Sequence, residues 1–355
     1  MSKRLTIGLV SPQRRQCGIS DYTAYLLPEL RNLVDVAYVT DAADFDDSMN
    51  AVDLIHIQHQ YFLFGGVAPW KNRFSAFASK LKAPALMTAH EFVPPHGDVL
   101  RRTAIQTTNR RNFMNRAVRR LIVHTEADLD RMAESGLPKE RIALVRHGVP
   151  PAPSLVDQEA AKRALGLQDR FVVTLFGFLS RRKGHSLAIE AMRSTSDDVS
   201  LLLAGGTHPD DNTGYAGNLL EMIQAHGLSH KVKITGYLQP DGVAEVMSAT
   251  DLIIAPFTES SGSGSLALAL ACGKPILASG ILPHYEIERE SPGSLKLFSP
   301  LDAVSLSGAI ESLKNDEQQR AGLAASAARY AQTHSYANMA KETVQVYFDV
   351  LGRSN

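Results

Sequence analysis

The chain has 355 residues, enough for two domains at roughly 100–200 residues each, and 44% of it is hydrophobic. Lys+Arg and Asp+Glu both number 37, so the formal net charge is zero and no global field points to nucleic acid. Cys17 and Cys272 stand far apart without CxxC spacing, which excludes a disulfide framework and a cysteine zinc site and fits a reducing compartment.

After MSKR the chain runs into polar sequence within six strand-like residues, too few for a signal h-region. No stretch approaches the ~18–20 apolar residues of a membrane-spanning helix. The expectation is a soluble cytoplasmic protein that can touch the inner face of the cell membrane.

In chain order, short apolar runs predict strands at Leu5–Val10, Val34–Thr40, Asp53–Gln58, Pro84–Ala89, Leu121–His124 and Ile142–Arg146. Then come Phe171–Phe178, Val199–Ala204, Val232–Thr235, Leu252–Phe257, Pro275–Ala278 and Leu295–Phe298. Helical patterns fall between them, among them Asp21–Leu30, Glu126–Glu134, His185–Met192, Val243–Ala249 and Leu266–Cys272, with Tyr336–Leu351 last. The alternation predicts an α/β protein with parallel sheets, and twelve strands exceed one ordinary doubly wound sheet. The prolines of Val149–Ser154 mark the break. Two Rossmann-like domains follow, residues 1–150 and 155–335, with residues 336–355 as a terminal helix.

Ligands of open α/β sheets bind beyond the carboxyl ends of the strands, so the chemistry is sought in those loops. After the first strand comes Arg14-Arg15-Gln16-Cys17-Gly18-Ile19-Ser20, where Gly18 permits close backbone approach, the arginines suit an anion and Ser20 is placed to cap the helix. An ordinary βα turn reads the same. His90 and Glu91 end the fourth strand; His56, His59 and His147 sit similarly, and a structural histidine is the common alternative.

The run Arg181-Arg182-Lys183-Gly184 puts three cations at a helix N-terminus, where the macrodipole disfavours each unless an anion sits among them. The stretch SSGSGSLALALACGKP, Ser260–Pro275, follows a buried strand with a glycine turn and a helix N-terminus, an arrangement that suits a phosphate. Gly262-x-Gly264-x-x-Ala267 also matches a dinucleotide fingerprint. It lies at the tenth strand, however, and no acidic residue ends the next one to hold a ribose. Finally, residues 99–125 hold Arg101, Arg102, Arg110, Arg111, Arg116, Arg119 and Arg120 and no acidic residue. Ile105, Met114, Ala117, Val118 and Leu121 offer a partly helical apolar stripe, so the segment reads either as a contact with anionic lipid or as a solvated face packed on its own sheet.

Taken together, CGISDYTAYL, MTAHE, RHGVP, GFLSRRKG, SSGSGSLALALACGKP and HSYANMAKETVQVYFDVL resemble, in that order, the motifs of retaining glycosyltransferases of the GT-B fold, family 4. The resemblance implies two Rossmann-like domains facing a cleft, with the terminal helix crossing back to the first domain. It implies a nucleotide-diphosphate sugar donor, a glycan, lipid-linked or small-molecule acceptor, and no metal or other cofactor.

By position in those motifs, Lys183, His90 and Glu259 are the expected catalytic residues. Gly18, Arg182, Ser260, Ser261, Gly262, Ser263, Gly264 and Ser265 are the expected donor-binding residues. The chain departs from the pattern at Phe178, where an arginine is usual, at Cys17, where a second glycine is common, and at Ser260 and Leu268, where the family carries paired glutamates. A leucine accepts no hydrogen bond from a ribose. A non-catalytic relative of the same shape and an NAD(P)-dependent oxidoreductase built on Gly262 are the competing readings, and a pyridoxal phosphate-dependent phosphorylase of this fold is a weaker one.

Overall fold

A computed structural model describes residues 4–13, 16–209, 211 and 213–353. Its two compact units are Met1–Gly148 with Tyr336–Asn355, and Val149–Ser335.

The first unit holds strands β1 Thr6–Val10, β2 Asp35–Val39, β3 Leu54–His59, β4 Ala85–Ala89, β5 Val118–Val123 and β6 Ile142–Leu144. They form one parallel sheet in the order β2-β1-β3-β4-β5-β6. Its helices are α1 Gly18–Leu33, α2 Phe74–Ala78, α3 Val99–Phe113 and α4 Glu126–Glu134, and the chain returns to it with the terminal helix, α13 Tyr336–Leu351.

Every residue of β3 and β4 is buried, as expected of strands covered on both faces. On one face Ile7, Leu9, Leu54, Leu86 and Ile122 pack with Leu26 and Leu30 of α1 and Ala340 and Tyr347 of α13. On the other, Ile55, Ile57 and Met87 pack with Phe64, Phe74, Phe77 and Phe113.

The second unit holds β7 Phe171–Phe176, β8 Val199–Ala204, β9 Val232–Ile234, β10 Leu252–Ala255, β11 Ile276–Ser279 and β12 Lys296–Phe298, parallel in the order β12-β11-β10-β7-β8-β9. The helices are α5 Gln158–Leu165, α6 His185–Ala191, α7 Tyr215–Ala225, α8 Pro240–Ala249, α9 Gly264–Ala271, α10 Leu282–Glu290, α11 Ala303–Asn315 and α12 Glu317–Thr333. Gly273 follows α9 in a left-handed conformation and Pro275 forbids its continuation, so the helix ends where the sequence indicates. The strand order reverses between β1 and β3 in the first sheet and between β7 and β10 in the second. These two points are where ligands of such sheets bind.

The twelve predicted strands are all present, with local differences at the ends of several elements; three bear on the site. Helix α1 begins at Gly18 rather than Asp21, and Ser20 does not cap it: its hydroxyl donates to Pro12 O at 3.0 Å, while Cys17 holds the cap position without a side-chain bond. Strand β5 begins at Val118, ahead of the predicted Leu121. The arginine-rich segment is not one amphipathic stripe. Asn115 accepts the Ala117 N–H at 3.0 Å and turns the chain, so Ile105 lies in α3 while Val118 and Leu121 lie in β5.

Leu30 of α1 is fully buried in the cluster it shares with β1 and α13. Leu30→Ala is expected to cost about 2–5 kcal/mol, read by chemical denaturation of the full chain, through the lost transfer energy and the cavity left behind.

Candidate active site

The second unit gathers its loops at the β7/β10 reversal. β7 runs into Gly177, at φ +113°, and a Cβ there would lie 2.0 Å from Lys183 Nζ and 3.0 Å from Ser265 Cβ. Gly205, at the end of β8, presses on the Gly177 carbonyl, and a Cβ would meet that oxygen at 2.1 Å. Arg181–Lys183 forms a single 3₁₀ turn closed by Gly184 at φ +72°, where a Cβ would lie 2.0 Å from Pro256 O. The loop after β10 is tied to this turn, since Thr258 N–H donates to Arg182 O at 2.8 Å. Only glycine fits such approaches.

The three cations, alike in sequence, separate in space. Arg181 is exposed, with its guanidinium 5.1 Å from the Tyr215 ring centroid. Arg182 is also exposed, its Nε 3.8 Å from Glu259 Oε1, and each side chain is about half accessible (52% and 54%). A surface pair of this kind contributes little to stability.

Lys183 turns inward. Its Nζ donates to Ser265 Oγ at 2.7 Å and to Phe176 O at 3.3 Å, and lies 5.6 Å from the Phe257 ring centroid. Desolvation, and then the neighbouring Arg182 cation, push this ammonium down to about 7. Among the described residues no carboxylate pairs with Lys183.

Helix α9 begins beside that ammonium. Ser263 is its N-cap and accepts the Leu266 N–H at 3.3 Å, while the Ser263 and Ser265 hydroxyls lie 2.9 Å apart. Gly262, at φ +93°, supplies the turn before the helix. A Cβ on Gly264 would meet nothing within 4 Å, so the local fold does not demand glycine there, and open space lies in front of the backbone.

Ser260 and Ser261 are partly exposed in the same loop. Leu268 follows Gly264 by one helical turn and is partly exposed, offering no acceptor. Beside Gly177 the sequence reading missed an aromatic group: Phe178 stacks on Tyr237 at 6.1 Å and meets His208 edge-on at 5.0 Å. Only the placement of these three residues at neighbouring strand ends reveals it.

In the first unit Arg14 and Arg15 lie outside the described residues. A Cβ on Gly18, like one on Gly264, would meet nothing within 4 Å. Tyr22, one turn along α1, brings its ring 4.6 Å from that of His90. His90, His124 and His147 stand just beyond β4, β5 and β6, each contacting Tyr22. Burial and the neighbouring imidazoles hold His90 well below its usual range; burial pushes His124 to about 3 and His147 to about 4. All three rings are neutral at pH 7. His56 and His59 are fully buried, and His59 sits in an aromatic cluster with Phe64 stacked at 5.4 Å, so it reads as a core residue.

Lys183, Ser263 and Ser265 therefore make one cluster, with Arg182 and Glu259 outside it, while Gly18 and His90 belong to the other unit. Among the described residues no group of three or more His, Cys, Asp or Glu gathers as metal ligands, and no helix is long and apolar enough to cross a membrane.

Residues 157–330 match the family Glycosyl transferases group 1, and residues 17–152 match Glycosyltransferase Family 4. The chain is 27% identical over 241 residues (64% of this chain, 52% of the relative) to the D-inositol 3-phosphate glycosyltransferase of Rhodococcus opacus. It is 28% identical over 240 residues (64% and 56%) to the same-named protein of Corynebacterium urealyticum. The match thus spans about half the length of these curated relatives.

Among solved structures it is similar to Anabaena HepE in complex with UDP-glucose, with TM-score 0.79 at 19% identity over 97% of this chain and all of that one. Sucrose-phosphate synthase of Thermosynechococcus elongatus gives TM-score 0.76 at 20% identity over 99% of this chain and all of that one. With two six-stranded parallel sheets, strand-end loops of this kind and these matches, the chain belongs to glycosyltransferase family 4 (glycosyl transferases group 1) and has the GT-B fold.

Proposed function

We propose that the protein is a metal-independent, retaining glycosyltransferase that moves a hexose from a nucleotide-diphosphate donor to a glycan, lipid-linked or small-molecule acceptor. One observation carries the reading: a desolvated lysine ammonium, with no carboxylate in its described contacts, stands against the N-terminal end of α9 at the strand-order reversal of the second unit.

In this reading the second unit binds the donor. As the glycosidic bond breaks, negative charge builds on the leaving diphosphate. Lys183, Arg182 and the backbone N–H groups of Gly264 and Ser265 stabilise it from fixed positions, supplying the charge that a metal ion supplies elsewhere. Ser261, Gly262 and Ser263 are assigned to sugar hydroxyls, with Ser260 and Glu259 in the same loop. His90 is the contribution of the first unit, which takes the acceptor near Gly18. Retention implies attack on the leaving-group face.

HepE is solved with UDP-glucose, so that donor is the first to screen. With no carboxylate at Leu268, the ribose hydroxyls need another partner. Ser260 and Leu268 favour the second reading, a non-catalytic binding protein of the same fold, which binds a nucleotide sugar without turnover.

The first unit also offers a surface for anionic lipid. Arg101, Arg102, Arg110, Arg111, Arg116 and Arg119 are exposed, and Val99 and Leu100 at the start of α3 are 77% and 83% accessible. Attraction to an anionic bilayer amounts to about 1 kcal/mol per cation.

Lys183→Met is expected to lower kcat/KM for transfer by about 10²–10³-fold with an unchanged circular dichroism spectrum, while EDTA leaves the wild-type rate intact. Full activity in the variant contradicts the diphosphate assignment. Lys183 must be charged to hold the anion, so donor affinity should weaken by up to about tenfold per pH unit above pH 7, a slope absent in Lys183→Met. Calorimetric titration with nucleoside diphosphate at pH 6.5, 7.5 and 8.5 checks it. Vesicles containing anionic lipid should retain the wild-type protein and release a variant with Arg110, Arg111, Arg116 and Arg119 changed to Gln; no retention of the wild type removes the membrane contact.

A further inference from the structure

A chain of buried polar side chains runs from the terminal helix to His90, and apart from His90 itself no member of it has a part in the proposed donor chemistry. Strand geometry builds it. Alternate residues of a strand share a face, so His56 and Gln58 of β3 point the same way, as do Thr88 of β4 and His90 just beyond it. The register pairs Gln58 with Thr88, and His90 N–H donates to His59 O at 3.0 Å, carrying the ladder one residue past the strand.

The contacts are continuous. Tyr347 of α13 places its hydroxyl 2.7 Å from His56 Nδ1. His56 Nε2 lies 2.8 Å from Thr88 Oγ1 and 3.2 Å from Gln58 Nε2, and Gln58 Oε1 lies 2.7 Å from His90 Nε2. Tyr347, His56, Gln58 and Thr88 are at most 1% accessible, which keeps bulk water from replacing any of these partners.

A carboxamide has one end that only accepts and one that only donates, and a neutral imidazole carries a single N–H. With Oε1 facing His90, the hydrogen of that ring sits on Nε2. The amide nitrogen then faces His56 Nε2, which must accept. The His56 hydrogen therefore sits on Nδ1 and is donated to the Tyr347 oxygen. Burial pushes His56 to about 3, so the ring is neutral and has no second hydrogen to spare. The two tautomers are locked to one another.

We propose that Gln58 is a positioning residue that holds His90 as its Nε2–H tautomer, and that Tyr347 sets the orientation of Gln58 through His56. The basic nitrogen of His90 is then Nδ1. The kinetic consequence rests on the proposed transferase activity; the tautomer does not.

The test is two-bond ¹H–¹⁵N correlation on the ¹⁵N-histidine-labelled full chain at pH 7.5, with the His90 signals assigned by their loss in His90→Asn. The wild type should show a protonated Nε2 and an unprotonated Nδ1 at His90. Tyr347→Phe removes the acceptor of His56 Nδ1–H, so His56 moves its hydrogen to Nε2, the Gln58 amide turns over, and both histidines invert. Gln58→Leu should abolish the single-tautomer pattern at His90 and lower kcat by about tenfold or more, with donor KM within about twofold.

A protonated Nδ1 at His90 in the wild type overturns the proposal, and that measurement needs no variant to fold. An unchanged His90 pattern overturns the role of Gln58 if seen in Gln58→Leu, and that of Tyr347 if seen in Tyr347→Phe. A chain without turnover leaves the tautomer result standing, so the two failures are distinguishable.

Discussion

The desolvated ammonium of Lys183 is the constraint on which the second unit is organised. Gly177 lets the end of β7 close on it, while Gly205 lets β8 press on the Gly177 carbonyl and Gly184 lets the cationic turn close on Pro256 after β10. Ser265 holds it from α9, and the Phe176 carbonyl and Phe257 ring take the remaining sides. Among the described residues Lys183 has no carboxylate partner, and the proposed function assigns the missing negative charge to a bound diphosphate. The strand order explains why the parts meet: β7 and β10 are far apart in sequence but adjacent in the sheet, with their carboxyl ends side by side.

In the first unit the same desolvation goes further and removes the charge. The imidazoles of His90, His124 and His147 stand beyond the carboxyl ends of β4 to β6 around Tyr22 of α1, with His56 within β3 against Tyr347 of α13, and desolvation keeps them uncharged. A neutral imidazole at fixed orientation is a directional hydrogen-bonding group, and its tautomer becomes the variable that matters. The terminal helix thereby has two roles, filling the core with Ala340 and Tyr347 and ending the hydrogen-bond chain with the Tyr347 hydroxyl.

The strands were legible because parallel strands covered on both faces read as plain apolar runs, as in β3 and β8. Strand β5 starts early because Arg119 and Arg120 interrupt such a run while the backbone still pairs with β4. The glycine turn and α9 were legible from Gly262, Ser263 and Gly273. Only the resemblance to the family motif singles out Lys183 from Arg181 and Arg182; residue type and spacing do not, because the turn direction of a 3₁₀ segment decides which cation faces inward. Nor do they mark out Gln58. Its alternation with His56 is visible along the strand, but its contact with His90 depends on β3 and β4 lying side by side in register, which composition and periodicity do not specify.

In the proposed function Lys183 is a desolvated cation that receives an anion. The most direct test follows its Nζ by NMR through a pH titration of the full chain, with and without nucleoside diphosphate. A midpoint near 7 is expected for the free protein, with a marked rise once the diphosphate binds. A midpoint near 10.5, unchanged by the nucleotide, would contradict it.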